Sequence, residues 1–243
     1  MEGGFQYSNF ESVQETSSGA DTVIHNGYTT VISPASGSLQ KFNGDLYGAD
    51  IQVGYKQFFG KTKRFGLRYY GFFSGQGGSA IYQQNKMVIT QPAANLFYGA
   101  GIDALLNFYD ENNSTFGVFA GVMLGGSSWL MGKGRQQDGQ CVFATPLTDC
   151  TTMNDYYNYY SYPPDYNANY VQFIFNVGFR ANLSKHQGFE VGVRIPTIDD
   201  PYYTTSATTS SYGGTTYYTQ GSFKQTLTFR RNIAAYLNYV INF

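Results

Sequence analysis

Charged residues are scarce in this sequence. Only 13% of the 243 residues are charged, about half the roughly 25% of soluble domains, and the net charge is −1. So few charges make an ordinary water-facing surface hard to build, and the near-neutral balance argues against a nucleic-acid partner. No segment approaches the roughly 20 apolar residues of a membrane helix, and collagen and coiled-coil repeats are absent.

Metal ligands and catalytic bases are also few, with two cysteines and two histidines. Cys141 and Cys150 lie in a polar stretch with no nearby histidine, and because zinc needs about four ligands we expect a disulfide, formed in an oxidising compartment. His25 beside Asp21, and His186, lie in predicted connections without a Ser–His–acid arrangement. We therefore expect no enzyme activity, no cofactor and no metal site. A hydrolase of membrane lipids would need a lipid-facing Ser/His pair, which the pattern does not supply.

Aromatic residues and glycine are abundant instead, at 18% and 29 residues. Segments with period-two alternation occupy about 3–13, 45–58, 65–74, 96–109, 116–130, 170–183, 188–195 and 227–243. In most of them one face is apolar, and the other carries glycine, polar residues and about one charge. Their length suits the roughly 9–11 residues of a tilted bilayer-spanning strand better than the usual 5–6 of soluble strands. We predict one domain, 1–243, an all-β, eight-stranded antiparallel transmembrane β-barrel with its apolar face on lipid.

The connections between these segments alternate in length. Residues 60–63, 110–115 and 184–187 form short connections, whereas 14–44, 75–95, 131–169 and 197–225 are long. This alternation predicts short periplasmic turns, long extracellular loops and periplasmic termini. Residues 1–4 lack the basic and apolar regions of a signal peptide, so we expect a mature chain from which any targeting segment has been removed.

The inward face of the predicted barrel carries charges. They are Asp50, Lys56, Arg68, Asp103, Arg180, Glu190, Arg194 and Arg230. The interior of an eight-stranded barrel is just wide enough to be filled by side chains, and unpaired charges there would be costly. One interpretation is a plug of ion pairs, with Arg68, Arg180 and Arg194 anchoring the carboxylates. The other is a narrow ion path lined by the same residues.

Two of the long connections are rich in tyrosine, serine and threonine. The candidate binding residues are Tyr156, Tyr157, Tyr159, Tyr160, Tyr162, Tyr217 and Tyr218. Such residues suit a binding surface, because tyrosine supplies rigid amphipathic contact area and serine supplies adaptable hydrogen bonds. We predict binding of a host glycan or protein. The alternative is an outer aromatic girdle with ordinary polar loops. Asp199 and Asp200, which precede Pro201 at the outer rim, are expected to form a turn or a weak cation site.

Several stretches resemble the Helicobacter outer membrane protein family (the Hop/Hor group). They are VGYKQFFG (53–60), FGLRYYGFF (65–73), YGAGID (98–103), FGVFAG (116–121), SW (128–129), FNVGFRAN (175–182), KHQGFEVGVRIP (185–196) and the ending from RRN (230–232) to YVINF (239–243). The resemblance implies a bacterial outer-membrane barrel surrounded by lipid and lipopolysaccharide. It also implies insertion by the barrel-assembly machinery through a C-terminal signal, here Tyr239, Ile241 and Phe243.

The resemblance does not choose one function, since the family includes adhesins and porins. Its large adhesins carry a helical extracellular domain after the first strand, whereas this chain has only residues 14–44 there. The chain therefore resembles a small family member, or the barrel portion of a larger one. Surface binding through the loops is the predicted function, and a small porin or channel for ions or small solutes is the alternative.

Overall fold

The computed structural model of the chain describes residues 1–60, 64–84, 86–111, 114–160, 165–213 and 216–243. Its elements in chain order are β1 (Glu2–Ser18), β2 (Asp21–His25), β3 (Tyr28–Ser33), β4 (Ser36–Phe59), β5 (Phe65–Gln84), β6 (Met87–Glu111), β7 (Ser114–Met131), β8 (Arg135–Gln136), α1 (Met153–Tyr159), β9 (Asp165–Tyr166), β10 (Asn169–Asn182), β11 (Gln187–Pro196), β12 (Asp200–Ala207), β13 (Ser210–Gly213), β14 (Thr216–Gln220) and β15 (Phe223–Ile241). Among these residues no helix is long and apolar enough to cross a membrane.

Eight of the strands close into a ring. The order is β1–β4–β5–β6–β7–β10–β11–β15, every neighbouring pair is antiparallel, and β15 pairs with β1 to complete the circle. Closure leaves no open edge in the wall, so each strand forms backbone hydrogen bonds on both sides. The prediction of an eight-stranded antiparallel transmembrane barrel is confirmed.

The outer face of the wall is apolar. Along β5, Phe65, Tyr69 and Phe73 are exposed, whereas the alternating Arg68 and Tyr70 are buried inside the barrel. A band of exposed large apolar side chains runs around the ring, including Val53, Leu106, Phe116, Val177 and Leu237. We call this band the lipid belt, because hydrocarbon, not water, is the solvent that accommodates such a surface.

The barrel has two different ends. At the short-turn end, residues 183–186 connect β10 to β11, one residue earlier than predicted, while the short connections at 60–63 and 110–115 lie partly outside the described residues. At the long-hairpin end, several strands continue far beyond the lipid belt, and β5 and β6 stay paired from Gln76↔Asn95 to Gln84↔Met87. The predicted long connections are therefore built largely from strand.

The remaining strands belong to the long-hairpin end. Strand β12 pairs with β15 from Asp200↔Phe229 to Ala207↔Phe223. It therefore lies beside the outer part of β15, as β11 lies beside the part nearer the short-turn end. Strands β2, β3, β13 and β14 form a separate sheet in the order β13–β14–β2–β3. This second sheet joins the connections 14–44 and 197–225, because β1 and β15 already lie side by side up to Ser18↔Phe223.

Helix α1 and the disulfide lie above the barrel at this end. The side chain of Thr152 caps α1 by accepting a hydrogen bond from the Asp155 backbone N–H at 3.0 Å. Asn154 fixes α1 to the wall, since its side chain accepts from the Met131 N–H (2.7 Å) and donates to the Trp129 carbonyl (2.9 Å). The predicted Cys141–Cys150 disulfide is confirmed. We call this assembly, together with the second sheet, the head.

Candidate functional site

A cluster of charges fills the barrel at the short-turn end, with Arg68 at its centre. Its guanidinium contacts the carboxylates of Glu2 and Glu190 at 2.6 Å each, and its Nε donates to Asp103 at 3.0 Å. Lys56 adds contacts to Glu2 at 3.1 Å and to Glu190 at 3.6 Å. Arg68 also stacks on the Phe119 ring, 4.9 Å from its centroid. These contacts join side chains from several strands across the lumen.

A second polar layer follows towards the middle of the barrel. Arg194 pairs with Asp50 at 2.6 Å, donates to Gln6 at 2.8 Å and lies 4.2 Å from the centre of the Tyr236 ring. The Tyr236 hydroxyl donates to Asn176 at 2.8 Å, which connects this layer to the first.

Inward glycines make room for the large side chains of this lumen. A Cβ added at Gly101 would lie 2.4 Å from the Tyr70 ring, and one at Gly192 would lie 2.8 Å from the Tyr236 hydroxyl. The inward glycines of the predicted strands therefore provide the space that the large aromatic side chains of the lumen occupy.

The structure changes the membership of the predicted charge set. Arg230 is exposed and pairs at 3.5 Å with Asp199, whereas Arg231 is buried and donates to Gln76 at 3.2 Å. The prediction of an inward Arg230 is wrong because of a bulge. Ser8 pairs with Ala234 but Phe10 with Arg231, so β15 has one extra residue there and its inward parity changes.

Two acidic residues join the lumen. Glu2 continues the inward alternation of Gln6 and Ser8, and it lies one residue before the predicted start of the strand at residue 3. Asp200 is buried, accepts a hydrogen bond from Trp129 Nε1 at 2.6 Å and also accepts one from Gln172. Among the residues that the structure describes, the inward charges are therefore five basic and five acidic: Lys56, Arg68, Arg180, Arg194 and Arg231, with Glu2, Asp50, Asp103, Glu190 and Asp200.

An apolar layer lies between this polar column and the head. Trp129 packs on Phe10 and Phe229 with ring centroids 5.3 Å and 5.1 Å away, and Tyr202 meets Phe229 at 4.8 Å. All four rings are fully buried. We call Phe10, Trp129, Tyr202 and Phe229 the outer aromatic layer, since it fills the lumen where the head begins.

The candidate tyrosines divide between core and surface. Tyr157 is buried in the head against Tyr203, with ring centroids 4.4 Å apart, so the prediction that it contacts a ligand is replaced by a packing role. Its spacing in α1 places it on the inner side with Met153, and this short helix was not predicted. Tyr156 is half-buried against Phe143.

The other candidate tyrosines are exposed where the structure describes them. Tyr159 and Tyr160 lie at the end of α1, and Tyr217 and Tyr218 lie on β14. Tyr162 lies outside the described residues. Tyr217 and Tyr218 pair with Ile24 and Val23 of β2, so they belong to the second sheet. The α1 tyrosines therefore lie on a different element, far from Tyr217 and Tyr218 in sequence.

A cavity of about 380 Å³ opens into the head between these elements. The stacked rings of Phe42 and Tyr82, 4.6 Å apart, and the rings of Phe143 and Tyr156 line it, together with Gln14, Gln40, Lys41 and Gln83. Burial raises the pKa of Tyr82 to about 12 and also raises that of Tyr156, so both hydroxyls stay protonated at neutral pH. The cavity offers aromatic faces and neutral polar groups beside one ammonium group.

The remaining predicted residues lie apart from this cavity. Tyr239, Ile241 and Phe243 point outward at the short-turn end. His25 contacts the Thr216 hydroxyl at 2.9 Å and His186 contacts the Asn242 carbonyl at 3.0 Å, in different parts of the molecule. Within the described ranges, no group of three or more His, Cys, Asp or Glu residues could hold a metal ion.

The closed ring, the lipid belt and the filled polar lumen define an outer-membrane β-barrel protein. The model of the Helicobacter outer membrane protein family matches residues 50–243, and the chain belongs to that family. The predicted family and the predicted location in the bacterial outer membrane are both confirmed. The lipid belt accordingly contacts outer-membrane lipid, the short-turn end faces the periplasm and the head faces the outside.

Solved barrels resemble the chain only weakly. The outer membrane protein OprG from Pseudomonas aeruginosa is 11% identical with a TM-score of 0.32, and 98% of this chain and 95% of that chain are covered. The outer membrane protease OmpT from Escherichia coli is 9% identical with a TM-score of 0.37, covering 99% and 96%. Ail of Yersinia pestis is 9% identical with a TM-score of 0.24, covering 93% and 98%. No curated protein matches the chain.

Proposed function

We propose that this protein is a non-enzymatic, closed barrel that acts through its head, by binding a glycan or protein of the host surface. The observation that carries the proposal is the outer aromatic layer, which fills the lumen directly beneath the head. Beneath this layer the charges are paired or packed across the lumen, so the barrel interior is occupied by its own side chains. The groups available to an external partner are those of the head.

The architecture of the head supports this role. The disulfide, α1 and the second sheet hold its connections in defined positions, which lowers the entropy lost when a partner binds. Exposed aromatic rings, Tyr159 and Tyr160 on α1 and Tyr217 and Tyr218 on β14, give large contact area with few rotatable bonds. The outward residues Tyr239, Ile241 and Phe243 form the proposed signal for the barrel-assembly machinery.

Binding to cultured epithelial cells and to a glycan array tests the proposal. The protein in lipid nanodiscs is compared with a variant in which Tyr159, Tyr160, Tyr217 and Tyr218 are all replaced by serine. We expect the variant to fold and to lose most of the binding. Leu147→Ser is the matched control, because Leu147 is 79% exposed in the disulfide-closed lobe but is not a tyrosine. Equal binding by all three proteins would refute the assignment to the tyrosines.

Planar-bilayer recording tests the channel alternative independently. We expect no stable conductance from the wild-type protein, because the outer aromatic layer and the ion pairs fill the lumen. A large, stable conductance of the folded monomer would overturn the closed-barrel proposal and favour the small porin or channel.

A further inference from the structure

The second sheet of the head has an open edge along β3. In the order β13–β14–β2–β3, this strand is hydrogen-bonded to β2 alone among the described strands. All six of its residues are exposed, with Tyr28 at 79%, Val31 at 57% and Ile32 at 58%. Both faces of β3 and one of its edges are therefore accessible from outside.

The turn between β2 and β3 fixes the hydrogen-bonding pattern of the hairpin. Asn26 and Gly27 have φ values of 52° and 79°, and two positive values in a two-residue loop are typical of a type I′ turn. His25 and Tyr28, which flank the turn, face each other and so form the first hydrogen-bonded pair of the ladder.

This pattern determines which backbone groups of β3 point outward. In an antiparallel pair, hydrogen-bonded and non-hydrogen-bonded positions alternate, so the N–H and C=O of Thr30 are directed at Val23. Those of Thr29 and Val31 point away from β2, and no described segment forms backbone hydrogen bonds with them there. The open edge therefore presents donors and acceptors at the spacing that another extended chain would use.

The edge has little of the protection that usually discourages pairing. Charged side chains, proline and bulges serve this purpose in most exposed edge strands. Strand β3 contains no charge and no proline, and the stretch 22–40 has no Asp, Glu, Lys or Arg. The irregularity in its pairing with β2 lies at Ile32, beyond both outward positions. An uncharged edge favours an uncharged partner, because a charged side chain packed on it would lose hydration without gaining an opposite charge.

The size of the edge favours a flexible segment over a second copy of the chain. Six residues of strand are about 20 Å long. Two barrels fixed in a membrane and meeting only along this edge would bury far less than the roughly 1,200 Å² of a stable interface between folded proteins. A flexible segment can instead place its side chains over both exposed faces of β3.

We propose that the outer edge of β3 binds an extended, uncharged segment of a host-surface protein, which adds to the four-stranded second sheet as a further strand. This inference rests on the proposed function and names the class of partner. Backbone hydrogen bonds with Thr29 and Val31 hold the segment. Its β-branched or aromatic side chains pack beside Tyr28, Val31 and Ile32.

Fluorescence anisotropy with the full chain in lipid nanodiscs tests this edge, with the labelled, end-blocked peptide STVTVTVS as the probe. We expect saturable binding of this peptide. The fully N-methylated peptide and the charged peptide SEVEVEVS should bind at least about tenfold less tightly, equivalent to about 1.4 kcal/mol. Hydrogen–deuterium exchange of residues 28–33 should slow when STVTVTVS is bound.

A proline substitution separates the edge from the rest of the head. Thr29→Pro removes an outward N–H and leaves the hydrogen bonds of β3 with β2, so it should weaken peptide binding about tenfold or more. It should also lower binding to epithelial cells. Thr29→Ala is the matched control, because it changes the same side chain but keeps the N–H, and it should bind as the wild type does.

Each other outcome would overturn the proposal. Absence of peptide binding, or equal binding of SEVEVEVS, would exclude an edge for uncharged segments. Unchanged peptide binding by Thr29→Pro would place the peptide elsewhere, and unchanged cell binding would exclude a host partner at β3. Slow exchange of residues 28–33 that depends on protein density in vesicles without peptide would assign the edge to a second copy. Exchange in β2 reports whether the hairpin is intact in Thr29→Pro, and Val31→Pro repeats the test if it is not.

The proposed function and this inference fail separately. The variant with four tyrosines replaced keeps the backbone edge of β3, so it should still bind STVTVTVS. Peptide binding by a wild-type protein that does not bind cells would refute the proposed function alone. Cell binding without peptide binding would refute the edge and leave the proposed function standing.

Discussion

Replacement of Arg68 by methionine tests the role of the charge cluster in barrel stability. Methionine keeps an unbranched apolar stem but is shorter, so the change removes the guanidinium with its charge, its hydrogen bonds and its contact with the Phe119 ring. In the wild type, Arg68 pairs with three buried carboxylates, those of Glu2, Asp103 and Glu190, and shares their compensation with Lys56 and Arg180. After the change, these three acids face only Lys56 and Arg180, so the cluster carries one uncompensated negative charge.

Removal of one partner from a buried ion pair typically costs about 3–5 kcal/mol, because the remaining charge has lost its compensation. Lys56 still reaches Glu2 and Glu190, and Tyr70 still donates to Asp103 at 3.2 Å. We therefore expect Arg68→Met to lower the free energy of unfolding by about 3–5 kcal/mol and not by a multiple of that range.

Urea unfolding in lipid vesicles gives this free energy. The chain has one tryptophan, Trp129, which is buried in the outer aromatic layer and reports unfolding by fluorescence. Arg230→Met is the matched control and should cost less than about 1 kcal/mol, since its ion pair with Asp199 is exposed and 3.5 Å long.

A second variant separates charge compensation from packing. Adding Glu190→Gln to Arg68→Met leaves two acids facing two bases, so the double variant should recover part of the lost stability. A loss below about 1 kcal/mol in Arg68→Met, or a further loss in the double variant, would refute the reasoning.

Three further predictions concern other parts of the molecule. Gly101→Leu should destabilise the barrel by about 1–3 kcal/mol in the same urea assay, because a Cβ at this position would lie 2.4 Å from the Tyr70 ring. Gly77→Ala is the control: a Cβ there meets open space, so stability should change by less than about 0.5 kcal/mol. Replacing both Cys141 and Cys150 by alanine should make the intervening lobe sensitive to protease while heat-modifiable migration of the barrel is retained. Burial raises the pKa of Asp200 above its ordinary value of 3.8, so folding disfavours the ionised form of this carboxyl. As pH rises from 3.8 towards the raised pKa, the free energy of unfolding of the wild type should therefore fall relative to that of Asp200→Asn.

The sequence predicts the wall of the barrel well because each face of the wall has its own environment, and each environment restricts the residues on that face. Lipid requires apolar residues at every second position, and the narrow lumen requires glycine, polar or paired charged residues between them. In β5 this alternation assigns Phe65 and Phe73 to lipid and Arg68 to the lumen, as the structure does. Long runs of this kind also fix the number of strands and therefore the closed ring.

The same reasoning fails where alternation is interrupted or where water replaces lipid outside. The bulge in β15 changes the parity by one residue, and residues 230 and 231 are both arginine, so composition cannot show which one points inward. Beyond the lipid belt the outer face of a strand need not be apolar. The outer part of β5, QGGSAIYQQ (76–84), mixes glycine, polar and apolar residues without regular alternation, so it has the composition of a loop. Helix α1 is only one or two turns long and is held mainly by tertiary contacts of Asn154, Met153 and Tyr157.

The polar layers and the outer aromatic layer occupy different ends of the lumen, and they have different roles. Polar side chains run from the short-turn end to Arg231, and above them the outer aromatic layer has no charged group except Asp200, which Trp129 binds directly. An apolar layer excludes water and ions without any fixed charge, whereas the ion pairs below it hold specific strands together. Changes to the charge cluster should therefore alter barrel stability, while changes to the exposed tyrosines should alter binding at the head without affecting the fold.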